Sequence, residues 1–305
     1  MSSAKKVLIL GATGMLGHTI FDELSKKPDL EVYGTVRDAT NMEKYFSHEL
    51  MENIRDKVDI NNFDLVIRTI TEVKPDIVIN CIGIIKQLPE AKDPINCITI
   101  NALFPHRVAM ICNTVGARMI HISTDCVFSG KKGNYMESDL PDADDLYGRT
   151  KLLGEVNNYN HCITLRTSVI GHEIRGNLSL IEWFMRQEGK TRGYTNAIFS
   201  GFPTVELARI IADYVIPNED LSGLYHVSAE PISKYDLLKL VSEKYDKKIE
   251  FEKFEDFYSD KSLNSNLFRN AAGYLPPSWP DMIEKMHENY NSSICFKKFK
   301  EVPNS

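Results

Sequence analysis

Through the first 168 residues, short unbroken apolar runs alternate with longer stretches whose apolar positions recur every three or four residues. The runs KKVLIL (5–10), EVYGTV (31–36), DIVINCIG (76–83), ARMIHIS (117–123) and HCITLRTS (161–168) read as buried strands. HTIFDELSKK (18–27), FDLVIRTITEVK (63–74) and NALFPHRVAMICNTVG (101–116) read as helices, punctuated by Pro28, Pro75 and Gly116. Strands and helices in strict alternation predict a parallel sheet covered by helices on both faces. Beyond residue 168 the rhythm changes. NLSLIEWFMRQ and ISKYDLLKLVSEKYD are helical in pattern, and GLYHVS (223–228) is a late strand returning to the sheet. SDKSLNSNLFRNAAGYLPPSWPDMIEKM is rich in Asn, Ser and Pro before a final helix. The division expected is a sheet-forming domain over 1–168 plus about 199–228, and a smaller interleaved domain over about 169–198 and 229–305.

Directly after the first strand stands GATGMLG, in which Gly11, Gly14 and Gly17 enclose Thr13, Met15 and Leu16. Glycines between a strand and a helix permit a tight turn and let backbone approach a pyrophosphate, which then meets the free N–H groups of the helix N-terminus. The spacing is G-x-x-G-x-x-G, and the competing reading is a glycine-rich turn that binds nothing. With the sheet pattern around it, the loop predicts an α/β, Rossmann-type doubly wound fold that holds a dinucleotide. The second strand ends GTVRD, so Arg37 precedes Asp38. A guanidinium suits a ribose 2′-phosphate, which favours NADPH, and Asp38 keeps NADH open. Asp59 and Ile60 follow a third strand where an acid can meet the adenine amino group. Cys81, Ile82 and Gly83 end the fourth, where the open edge of such a sheet meets its ligand.

DDLYGRTKLLGE (144–155) places Tyr147 and Lys151 four apart on one helical face, with Gly148 between them. A free phenol has a pKa of about 10, too high for efficient proton transfer near neutrality. A cation one turn away is expected to lower it. Ser123, Thr124 and Asp125 stand at the carboxyl end of the fifth strand. A hydroxyl there and the phenol could both stabilise the oxyanion that builds up when a carbonyl accepts hydride. Alone, Y-x-x-x-K is usually a solvated helix face; after a glycine loop and this strand end it points to a reductase.

Composition narrows the classes. A formal net charge of −6 speaks against a nucleic-acid partner. Six scattered cysteines without C-x-x-C pairs, and histidines (His18, His106, His121, His172) without ligand spacing, predict no disulfide framework and no metal. The apolar run near the N-terminus is too short for a signal peptide, and no segment reads as a membrane span. The expectation is a cytoplasmic protein with no membrane partner.

GATGMLG, NCIG, STDCVF and YGRTK occur in the order of the extended short-chain dehydrogenase/reductase family, which the chain resembles. Within it, STDCVFSG, YMESDLPDADDLYGRTKLLGE, LRTSVIG, SGFPTVELARII and GLYHVSAEPISKYDLL are similar to the dTDP-4-dehydrorhamnose reductase group, across nearly the whole chain. The resemblance implies NADPH-dependent reduction of a nucleotide-linked 4-keto-6-deoxy sugar for a surface polysaccharide. It implies Tyr147 as general acid, Lys151 as its cationic partner and Thr124 as the hydroxyl on the substrate oxygen. It brings Asn101, Ser123, Arg166 and Ser168 to the cofactor side, and Asp125, Val127 and Pro203 to the sugar. The loop GIIKQLPEAKDP departs from the group's pattern; Lys86 and Gln87 in it, and Arg192 further on, are expected to contact sugar or diphosphate. The partner implied is a nucleotide-diphosphate sugar, with a homodimer as the assembly open to it. An epimerase of the same family and a non-catalytic NADP-binding regulatory subunit are the alternatives.

Overall fold

The computed structural model describes residues 4–297. Seven strands form one parallel sheet: β1 (Lys5–Leu10), β2 (Leu30–Thr35), β3 (Ile54–Arg55), β4 (Ile77–Asn80), β5 (Arg118–Thr124), β6 (Cys162–Thr167) and β7 (Gly223–His226). Their spatial order is β7-β6-β5-β4-β1-β2-β3, so the winding reverses between β1 and β4. In open sheets of this kind the crevice at that reversal, above the carboxyl ends of the strands, receives the ligand. Strands buried on both faces need apolar residues at successive positions, and β1 supplies them: Val7 and Ile9 pack on one side, Leu8 and Leu10 on the other.

Helices α1 (Met15–Ser25), α2 (Phe63–Val73), α3 (Pro94–Val115) and α4 (Leu146–Leu153) cover the sheet. The sequence pattern placed the start of α3 at Asn101; it begins seven residues earlier. Asp93 caps it through its carboxylate, which accepts from Ile95 N and Asn96 N, and Pro94 occupies the first helical position. The stretch Ile98–Leu103 is a π-helical widening. Pro105 explains it in part, because it withholds the N–H that the Asn101 carbonyl would otherwise accept. Contrary to the expectation of no span-like segment, α3 is long and apolar enough to cross a membrane by length and composition. Val108, Ala109 and Cys112 bury one of its sides against the sheet, as in a core helix of a globular fold.

After β6 the chain leaves the sheet and returns at β7, as GLYHVS implied. Short pairs stand apart from the main sheet: Val169–Ile170 beside Phe202–Pro203, Lys190–Tyr194 beside Glu250–Phe254, and Ala197–Phe199 between Ile232–Ser233 and Ser259–Asp260. The second portion shares its core with the sheet, since Phe184, Leu237, Trp279 and Met282 belong to the same apolar cluster as Val7 and Ile9.

One late segment determines the shape of the site. Residues 259–264 lie along the loop that follows β5. Asp260 N donates to Gly130 O at 2.8 Å, Tyr135 N to Ser262 O at 2.9 Å and Asn264 N to Tyr135 O at 2.8 Å. Leu263 fills a small apolar cluster with Val127, Phe128 and Tyr135.

Candidate active site

The glycine turn between β1 and α1 is built for close approach. Gly11 has φ +88°, a left-handed conformation that suits glycine, and a side chain there would also press on Ile82. A methyl group on Gly17 would overlap the Gly11 carbonyl. Gly14 is the N-cap of α1 and offers no side chain to its free N–H groups. Met15 and Leu16 open the helix behind it, and Thr13 is half-buried in the turn. Helix dipole and unclaimed N–H groups suit a pyrophosphate. Arg37 is exposed just beyond β2. Asp38 beside it is held below the usual carboxylate range by Thr40, whose backbone N–H it accepts at 2.8 Å. Asp59 is occupied with Asn61, and Ile60 packs on the apolar cluster under the sheet.

From Gly11 a contact path leads through Ile82 and Gly83 to Lys151. A Cβ on Gly83 would lie 3.3 Å from Asn101 Oδ1 and 4.0 Å from Lys151 Nζ. Asn101, in the widened turn of α3, binds the backbone of Ile84 on both sides: its Oδ1 accepts from Ile84 N at 2.9 Å, and its Nδ2 donates to Ile84 O at 3.1 Å. It therefore fixes the loop after β4. Cys81, beside Lys151, has its thiol pushed up to about 12 by burial.

Helix α4 carries Tyr147 and Lys151. Asp145 caps it, accepting from Gly148 N at 2.7 Å. Gly148 is small because a Cβ there would overlap the Cys126 carbonyl, so α4 lies directly against the turn after β5. Thr124 ends β5 and caps that turn, accepting from Cys126 N at 3.1 Å. Burial raises the Tyr147 phenol above its ordinary value, and Cys126, Asp125 and Asp145 push the same way. The Thr124 hydroxyl opposes them. The Lys151 ammonium instead donates to the Ile122 carbonyl at 2.8 Å. Burial lowers Lys151 to about 8, opposed by Glu155 and Cys81. The site thus holds a protonated phenol beside a buried cation whose charge is lost in mildly alkaline solution.

Several predicted contacts are committed elsewhere. The side chain of Arg166 is buried and doubly bonded to Glu155, with Nε to Oε1 and Nη2 to Oε2 both at 2.7 Å. Ser123 donates to the same Glu155 Oε1 at 2.7 Å. Both hydroxyl and guanidinium are therefore engaged with Glu155, and the backbone of these two residues is what they have to offer a cofactor. Ser168 contributes its carbonyl, which accepts from Phe202 N at 2.8 Å. Lys86 forms an ion pair with Asp145 at 2.6 Å and so clamps its loop to the cap of α4; Gln87 beside it is exposed. Val127 is fully buried, in the cluster with Phe128, Tyr135 and Leu263. Arg192 lies exposed over the Phe254 ring on a separate strand pair, and Pro203 is buried in the strand beside Ile170. Among the described residues no group of acidic, His and Cys side chains could hold a metal.

The sequence reading missed Glu155 and its connections. Arg166 Nη1 donates to His226 Nε2 at 3.2 Å, and His226 Nδ1 donates to Tyr135 O at 2.9 Å. It also missed Lys234 and Lys261, whose charges act on the buried Asp125 and oppose the rise that burial imposes on its carboxyl. Their separation in sequence from β5, by more than a hundred residues, left no local signal.

Comparison with known proteins places this geometry in context. Residues 5–287 match the family model described as the RmlD substrate binding domain. A methionine adenosyltransferase 2 subunit beta from Danio rerio is 28% identical over 254 residues, covering 79% of this chain and 74% of that protein. A dTDP-4-dehydrorhamnose reductase from Shigella flexneri is 29% identical over 256 residues, covering 80% and 79%. The solved dTDP-4-dehydrorhamnose reductase from Bacillus anthracis str. Ames in complex with NADP superposes with a TM-score of 0.76 at 24% identity, covering 94% and 99%.

Proposed function

Because this chain belongs to the RmlD substrate binding domain family, we propose that it is an NADPH-dependent reductase of a nucleotide-linked 4-keto-6-deoxy sugar, of the dTDP-4-dehydrorhamnose reductase type, in deoxysugar biosynthesis. The observation that carries the reading is the contact path from the Gly11 turn through Ile82 and Gly83 to Lys151, with Thr124 beside Tyr147. In this reading the glycine turn is the dinucleotide cradle and Tyr147 the proton donor near it.

Bound NADPH supplies hydride to the ketone carbon. Tyr147 donates its proton to the carbonyl oxygen as charge builds there, and the Thr124 hydroxyl donates a hydrogen bond to the same oxygen. Lys151 then stabilises the phenolate left behind. The turn at Gly11, Gly14 and Gly17 takes the pyrophosphate, and Arg37 takes the 2′-phosphate, with NADH as the weaker substitute. The ketone of the sugar is held at the carboxyl end of β5, where Thr124 meets Tyr147. In the same proposal the dinucleotide domain spans 1–168 and about 199–228, with the rest closing over the sugar. A homodimer, to be tested by sedimentation, and a cytoplasmic location complete it; all six cysteines are free thiols.

The decisive assay follows NADPH oxidation with freshly generated 4-keto-6-deoxy sugars on dTDP, UDP, GDP and CDP, in wild type and Tyr147→Phe. Turnover lost in the variant supports the reading. The match to a protein named as a methionine adenosyltransferase subunit favours a second reading, an NADP-binding subunit without turnover. Saturable NADPH binding with no oxidation across the panel would select it.

A further inference from the structure

Lys151 is a buried cation whose hydrogen-bond partner is a neutral carbonyl, and the carboxylate that acts on it is Glu155, four residues on and just past the end of α4. Glu155 is itself buried. It accepts from Ser123, the neighbour of Thr124, and from two nitrogens of Arg166 on β6. Arg166 in turn meets His226 on β7 and lies over the Phe128 ring. One carboxylate therefore ties the end of α4 to the strand that carries Thr124, and through Arg166 to the edge of the sheet.

A buried ion pair is a poor device for stability alone, since well-packed apolar residues often serve as well or better. Its position suits a different task. The groups that act on Lys151 or feel its charge are Glu155 just past its own helix, Cys81 from the end of β4 and His121 from β5, with Tyr147 one turn earlier on α4. His121 is neutral: burial, with the charges of Lys151 and His106, holds it well below its ordinary value. Cys81 is kept a neutral thiol by burial. Glu155 is then the negative charge available to favour the ammonium. Arg166 and Ser123 hold it in place and satisfy its oxygens.

We propose that Glu155 is a positioning residue of the reduction, which keeps Lys151 a cation and at the same time fixes the strand end that presents Thr124. The proposal rests on the reductase reading for its kinetic part; its effect on Lys151 rests on the charge of Glu155 four residues on, held by Ser123 next to the Ile122 carbonyl that Lys151 binds.

Two measurements separate these parts. The first is kcat against pH for wild type and Glu155→Gln. Activity needs charged Lys151, so it declines as pH rises through that group's pKa. The wild-type decline is centred near 8. In Glu155→Gln it should move to lower pH by about one unit, the low end of what a nearby opposite charge contributes. The ratio of wild-type to variant kcat then grows from about twofold at pH 7 to about fivefold at pH 8. Glu155→Asp, which retains the charge, should restore the wild-type position even where the maximum rate is lower. The second measurement is trace acetylation of Lys151 against pH, read by mass spectrometry, which needs no turnover. Its midpoint should shift in the same direction.

Glu155→Gln leaves Arg166 buried without its partner, which can prevent folding. The double variant Glu155→Gln/Arg166→Met removes both charges, and a smaller displacement in the same direction is expected in it, because the repulsion of Arg166 goes with the attraction of Glu155. Superimposable profiles and an unchanged acetylation midpoint in whichever variant folds would overturn the proposal. A shifted midpoint in a protein with no NADPH oxidation at all would sink the reductase reading and leave the role of Glu155 standing.

Discussion

Tyr147 and Lys151 lie one turn apart on α4, each in its own buried environment. Burial leaves the phenol protonated, a suitable state for a proton donor, and Lys151 spends its hydrogen bond on Ile122. Replacing Tyr147 by Phe should lower kcat by about 10²–10⁴-fold, the span of a lost general acid, while fluorescence titration shows NADPH still bound. Arg37→Ala should raise KM for NADPH by about 10–100-fold, the worth of a hydrogen bond to a charged group, with KM for NADH unmoved. Equal losses for both nucleotides would place the 2′-phosphate elsewhere. At this scale the residues whose chemistry is local were legible in the sequence: the glycines, Thr124, Tyr147 and Lys151. Glu155 was not, because a glutamate after a helix-ending glycine reads as an ordinary surface residue. Its partner Arg166 lies on the next strand, where only the folded sheet brings the two together.

The elements around the site are held by close backbone approach. A methyl group on Gly148 would overlap Cys126 O, and one on Gly154 would overlap Asn101 O, where α4 meets the widened turn of α3. Gly148→Ala and Gly154→Ala should each cost about 1–3 kcal/mol, as overpacked sites do, and chemical denaturation should report a lower midpoint for both. A methyl that α4 absorbs by sliding would reveal itself as unchanged stability with reduced kcat. The strands of the parallel sheet and most helix positions followed from apolar periodicity. The early start of α3 did not, although Asp93-Pro94 is an N-cap signal, because the apolar stripe begins to repeat only later. Its π-helical turn has no periodic signature; it arises from Pro105 and from the contact with Gly154.

For the molecule as a whole, buried neutral histidines set the response to acid. Burial lowers His18, on the first turn of α1, to about 4, and burial with the Arg166 charge lowers His226 to about 4. Both folded values lie below the unfolded one, so the unfolded chain binds more protons in between. Their contribution is complete above about pH 6.5 and is lost as pH falls toward 4. The melting temperature should decline over that window, and His18→Gln should flatten the decline. An unchanged slope would mean that other groups govern acid stability.

The segment 259–264, stitched to the loop after β5, has a consequence in time as well as space. It joins parts of the chain more than a hundred residues apart, and contacts of such separation form late because a large loop must close first. Synthesis delivers the glycine turn, β4 and α4 well before it. In refolding, NADPH binding should therefore return ahead of catalytic turnover, with the interval set by the arrival of Leu263 against Tyr135.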